Sequence, residues 1–97
     1  MLLCCSCGKN IEAIAKTQVL DDLESTYDGS FSIDVFEIDK NSTIKVDGDV
    51  DEANVYFVKG TRHWNSKNYV FEARYNVLVK DGEVGVSMAS IDYPGYN

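Results

Sequence analysis

The residues with the most reactive chemistry crowd the N-terminus. Cys4, Cys5 and Cys7 are the only cysteines among 97 residues. Thiolates bind zinc or copper(I), but a closed zinc site takes four ligands, and the single histidine, His63, lies far along the chain. Cys4-Cys5-Ser6-Cys7 also carries C-x-x-C spacing just ahead of an expected helix, where a thiol pKa falls. No strand precedes it and no βαβ pattern follows, so the setting of a redox motif is missing. With every cysteine in one short stretch, no disulfide can staple the domain across its core.

Two further constellations carry chemistry. Asp47, Asp49, Asp51 and Glu52 give D-x-D-x-D-E, and oxygen ligands at alternate positions suit calcium. The helix–loop–helix calcium motif needs Gly at its sixth position and Glu at its twelfth; here those are Glu52 and Val58. The competing reading is a charged turn that keeps a strand edge soluble. Arg62, His63 and Trp64 stand together within residues 60–66, which read as a long loop. A tryptophan beside a cation is the usual make-up of a binding hot spot, so these three are the candidate partner-binding residues. Glu72 and Arg74 share one strand face and read as a surface pair. No spacing of nucleophile and base, and no glycine-rich phosphate loop, can be read. No catalytic residue, metal ligand or cofactor is therefore expected.

The elements that must position these residues follow from periodicity. Residues 10–26 predict a helix, with Asn10 as N-cap and Ile11, Ile14, Ala15, Val19 and Leu23 as the apolar stripe. Glu12, Lys16, Asp22 and Glu24 fall mostly off that stripe. Gly29 suits the turn that ends the helix. Phe31, Ile33 and Val35 alternate with polar residues, and the phase then slips at Phe36 and Ile38, which predicts a bulge near Val35–Phe36. Residues 39–42 predict a turn, 43–46 a short strand, Asp47-Gly48 a tight turn and 53–59 another strand. The clearest pattern runs from Tyr69 to Lys80, where Tyr69, Phe71, Ala73, Tyr75, Val77 and Val79 alternate without error. Asp81-Gly82 favours a type I′ hairpin turn, leading into a last strand over 84–91. The expected fold is α+β: one N-terminal amphipathic helix packed on a four- or five-stranded antiparallel meander.

Composition sets the outer limits. With 44% hydrophobic and 26% charged residues the chain is an ordinary globular domain. Residues 1–9 read as a signal remnant or tether and 10–97 as one domain. The net charge is −7, and residues 21–52 hold eleven acidic side chains against only Lys40 and Lys45. That balance argues against nucleic acid, whose phosphates demand a Lys/Arg surface, and against a polybasic membrane contact.

Two resemblances add to this reading. Leu3-Cys4-Cys5-Ser6 leading into Cys7-Gly8-Lys9-Asn10 resembles the end of a bacterial lipoprotein signal, with Cys7 receiving the lipid and a polar tether after it. The apolar run before Cys7 is short, so the resemblance implies a longer signal upstream. The order of elements over about residues 10–91 resembles the cystatin-like and NTF2-like α+β folds, in which a curved antiparallel sheet wraps a preceding helix. The Gln-x-Val-x-Gly motif of inhibitory cystatins is absent, so protease inhibition is not implied. The expected function is a non-enzymatic binding or accessory protein with an unknown protein partner. It is lipid-anchored in the bacterial cell envelope if Cys7 carries lipid, and cytoplasmic otherwise. The first alternative is a soluble acidic inhibitor that occupies a basic surface of a partner. The second is a small NTF2-like enzyme.

Overall fold

The computed structural model describes residues 8–46 and 48–94. Cys4, Cys5, Cys7 and Asp47 lie outside them. Among the described residues one helix, α1 (Gly8–Thr26), precedes four strands: β1 (Ser30–Ile38), β2 (Glu52–Trp64), β3 (Lys67–Lys80) and β4 (Glu83–Asp92). All pair antiparallel in the order β1-β2-β3-β4, so each strand lies beside its neighbour in sequence. The α+β layout of one helix before an antiparallel meander is what the periodicity predicts; of the four or five strands expected, the described residues form four. The helix covers one face of the sheet. The two edge strands approach its backbone more closely than the central pair does.

β3 forms the spine because its alternation is unbroken. Phe71, Ala73, Tyr75, Val77 and Val79 are all buried on the helix side, with Phe71, Ala73 and Tyr75 fully so. Register sets Tyr75 opposite Tyr56 and Ala73 opposite Val58 on β2. From α1, Ala15, Val19 and Leu23 descend onto this surface and are fully buried. Each large apolar side chain so placed contributes about 1.5–3 kcal/mol. These three recur at four-residue spacing, which rotates the buried seam away from Ile14. Ile14 is 45% exposed and leaves the expected stripe. Asp22, expected off the stripe, instead turns toward the sheet and accepts a 2.7 Å hydrogen bond from the Tyr75 hydroxyl. Burial, and then this bond, push the Tyr75 phenol far above its ordinary pKa.

Five local expectations are corrected. The helix starts at Gly8, so Asn10 lies inside its first turn and is not the cap. Residues 43–46 are not a strand; despite the alternation Thr43–Val46, they pair with no strand among the described residues and belong to the link between β1 and β2. The β1 bulge falls at Asp34, one residue before the expected place: Ile33 pairs with Gly60 and Val35 with Lys59. Residues 60–66 are not a long loop. β2 continues through Trp64, and Asn65 and Ser66 reverse the chain with φ of 56° and 62°. Both central residues with positive φ define a type I′ turn, which fits the strand twist even without glycine. Finally, Glu72 and Arg74 do not pair along β3. Glu72 lies 3.9 Å from Lys59, and Arg74 donates to Asp39 at 2.9 Å.

Candidate functional site

Extending β2 to Trp64 changes what Arg62, His63 and Trp64 can do. Successive strand residues face opposite ways. Arg62 and Trp64 therefore project from the helix side of the sheet, in phase with Tyr56, Val58 and Gly60, while His63 projects from the other. The three do not form one epitope. His63 is exposed, and its Nδ1 lies 2.6 Å from Asn68 Oδ1 across the hairpin. Asn68 Oδ1 can only accept, so Nδ1 carries the proton.

Arg62 becomes the centre of an aromatic cluster assembled from distant parts of the chain. Its guanidinium carbon stands 4.7 Å from the Trp64 ring centre, 5.5 Å from that of Tyr27 and 5.6 Å from that of Phe31. Nε donates to the Asp28 carbonyl at 2.9 Å and Nη1 to the Tyr93 hydroxyl at 3.3 Å. A guanidinium carries five N–H donors, so three remain beyond these two bonds. Local backbone geometry makes the cluster possible. Gly29 takes φ +99°, and a Cβ there would meet the His63 carbonyl oxygen at 2.5 Å and Trp64 Cβ at 2.9 Å. Only glycine lets the α1–β1 turn press against the end of β2.

Beside the guanidinium lies a recess of about 60 Å³, lined by Arg62, Trp64, Tyr69 and Tyr93. Trp64 is 40% exposed, and its ring centre is 6.4 Å from that of Tyr69. One ring of the tryptophan is thus held by a cation while much of the side chain faces solvent. This arrangement can bind; it offers exposed aromatic surface beside a cation on a rigid hairpin.

No family model, no curated protein sequence and no solved structure matches this chain.

A second concave region lies on the opposite sheet face, where residues 39–41 pass near Phe57 and Arg74. Arg74 sits 5.3 Å above the Phe57 ring, and its charge is matched by Asp39. The Arg74 bond, together with bonds from the Ser42 hydroxyl and the Asn41 amide, holds the Asp39 carboxyl below its usual range. These bonds fasten the start of the link and match the charge of Arg74. Asp51 is likewise committed, because its Oδ2 accepts from the Asp81 amide at 2.9 Å. Among the described residues no three His, Cys, Asp or Glu side chains converge as a metal site would require. Nor is any described helix long and apolar enough to cross a membrane.

The aromatic companions Tyr27, Phe31 and Tyr93 could not be placed from sequence spacing. One signal for the site was present: continuing the phase of Tyr56 and Val58 through Gly60 puts Arg62 and Trp64 on the core face.

Proposed function

We propose that this domain is a non-enzymatic binding module that seats a protein partner on Trp64 and the adjoining recess. One observation carries the reading: a 40%-exposed tryptophan braced from beneath by a buttressed arginine. Rigid, half-exposed aromatic residues are the anchors that dominate binding energy, because little side-chain freedom is lost on contact. The order of elements, one helix before an antiparallel meander, resembles the cystatin-like and NTF2-like folds. The lipoprotein-like run ending at Cys7 supports attachment to a bacterial envelope. Mass spectrometry of the protein made from its full gene reads that attachment directly as lipid on Cys7.

The test of the binding reading is capture of partners from the native host with wild type and Trp64→Ala, alongside circular dichroism. Loss of captured partner with an unchanged spectrum supports the reading. Retention of the same partner by Trp64→Ala overturns it. A second reading, the acidic inhibitor, draws on Asp21, Glu24, Asp28, Asp34, Glu37, Asp49, Asp51 and Glu52, all exposed. It requires capture that weakens steeply as salt rises.

A further inference from the structure

β4 is an edge strand, and among the described residues nothing pairs with its outer side. The turn at Asp81-Gly82 has φ of 53° and 81°, so Lys80 and Glu83 close a two-residue type I′ hairpin. In such a hairpin the closing pair exchanges both backbone hydrogen bonds, and pairs alternate from there. Leu78–Gly85 and Asn76–Ser87 are then bonded pairs, while Val84, Val86 and Met88 turn their N–H and C=O groups outward. A bond on the far side of β3 agrees with this alternation: the Val79 carbonyl, opposite Val84, points away from β4 and accepts from the Asp51 amide at 2.7 Å.

Over residues 84–88 this free ladder carries no charge, proline or bulge. Between Glu83 and Asp92 β4 has no charge and no proline, and its bulge comes only at Ala89, where Tyr75 pairs with Met88 and Arg74 with Ser90. The opposite edge, β1, is guarded by a bulge at Asp34 and a charge at Glu37. On a chain of net charge −7, the stretch 84–88 is a strand edge that two copies can bring together without opposing acids. We propose that β4 pairs antiparallel with β4 of a second copy, centred on Val86. That register joins Val86 to Val86 and Val84 to Met88 of the second copy, making six backbone hydrogen bonds and an eight-stranded sheet. Glu83 then stands opposite Ala89, and the inward side chains Val84, Val86 and Met88 continue the apolar row across the seam. The inference does not depend on the Trp64 site.

Amide exchange across a concentration series tests it directly. The amides of Val84, Val86 and Met88 should gain protection as concentration rises, while those of Gly85 and Ser87, already bonded to β3, should not change. Light scattering should show mass rising from 10.8 kDa toward twice that value. Val86→Pro removes both bonds of the central pair and should weaken the dimer by about thirty-fold. Proline is tolerated where an edge N–H faces outward, so the hairpin should persist. Ser87→Glu, which puts like charges diagonally across the seam, should also favour the monomer and decides the matter if Val86→Pro fails to fold. A wild type that stays monomeric to millimolar concentration overturns the proposal. So does a dimer indifferent to both substitutions, or protection of β4 that appears only with a foreign peptide.

Discussion

Gly60 is the position where the sheet tolerates least. It lies on β2 opposite Ile33, immediately beside the bulge at Asp34. A Cβ built there falls inside the envelope of the Ser32 carbonyl oxygen, with the Ser32 carbonyl carbon at 2.9 Å and Ile33 Cα at 3.0 Å. All three are backbone atoms, so no side chain can swing aside. For Gly60→Ala the β1 backbone must retreat by on the order of 1 Å, in a structure whose interior packs like a crystal. Two ladder hydrogen bonds at about 1 kcal/mol each are weakened by that movement. Phe31 and Ile33 lose contact with the core, adding about 2 kcal/mol. Alanine's smaller unfolded-state freedom returns about 0.5–1 kcal/mol. The expected loss is about 3 kcal/mol, a large share of the ~5–15 kcal/mol that holds a domain of this kind together. Urea unfolding followed by far-ultraviolet circular dichroism measures it, and the melting temperature should fall by roughly 12–24 °C. Gly82→Ala supplies the comparison, because Gly82 has φ +81° with open space around it. Its loss should be about 1 kcal/mol, from backbone conformation alone. If Gly60→Ala costs no more than Gly82→Ala, the close approach of β1 to β2 is not what makes glycine necessary.

Two further predictions concern polar contacts. Tyr75→Phe deletes the bond to Asp22 and should lower stability at neutral pH by about 1–2 kcal/mol, read from urea midpoints. The Tyr75 pKa is raised in the folded state, so its contribution is full below the ordinary value of 10.0 and is lost as pH rises beyond it. The alkaline fall in stability should therefore be shallower in Tyr75→Phe; an equal slope would contradict the bond. Asp39 is shifted the other way. Its contribution is full above the ordinary value of 3.8 and disappears as pH falls through the lower folded value. The gap in melting temperature between wild type and Asp39→Asn should hold steady from neutral pH to about pH 5 and close below 3.8. A gap that does not depend on pH would show that the Asp39 charge is not what fastens the link.

How far the sequence revealed this molecule depends on where local chemistry decided the structure. β3 was legible because every second residue from Tyr69 to Val79 is apolar, and Asp81-Gly82 because that pair accepts positive φ. The Asn65-Ser66 turn was not, since neither residue is glycine and the flanking polar residues imitate a loop. The rotation of α1 was misjudged for a different reason. Ile14 fits a helical stripe, but packing on a sheet selected the Ala15–Val19–Leu23 row, and Asp22 faces inward only because Tyr75 supplies a donor. Residues 43–46 have a strand's alternation but no partner strand among the described residues, and pairing, not propensity, makes a strand. At the candidate site the residue types Arg62 and Trp64 were readable. Their enclosure by Tyr27, Phe31 and Tyr93 was not, because it arises from register and chain crossing.

The position of α1 ahead of the whole sheet has a consequence for synthesis. It leaves the ribosome before the sheet does, yet its apolar row is sheltered by strands made after it. An isolated helix of this length is marginal in water, since nucleation is costly and little surface is buried. From residue 52 onward each chain reversal takes only two residues, so β2, β3 and β4 close on one another with small loop entropy as they emerge. The nascent chain must therefore carry Val19 and Leu23 uncovered until the sheet exists. The helix, made before the sheet, gains its stability after it.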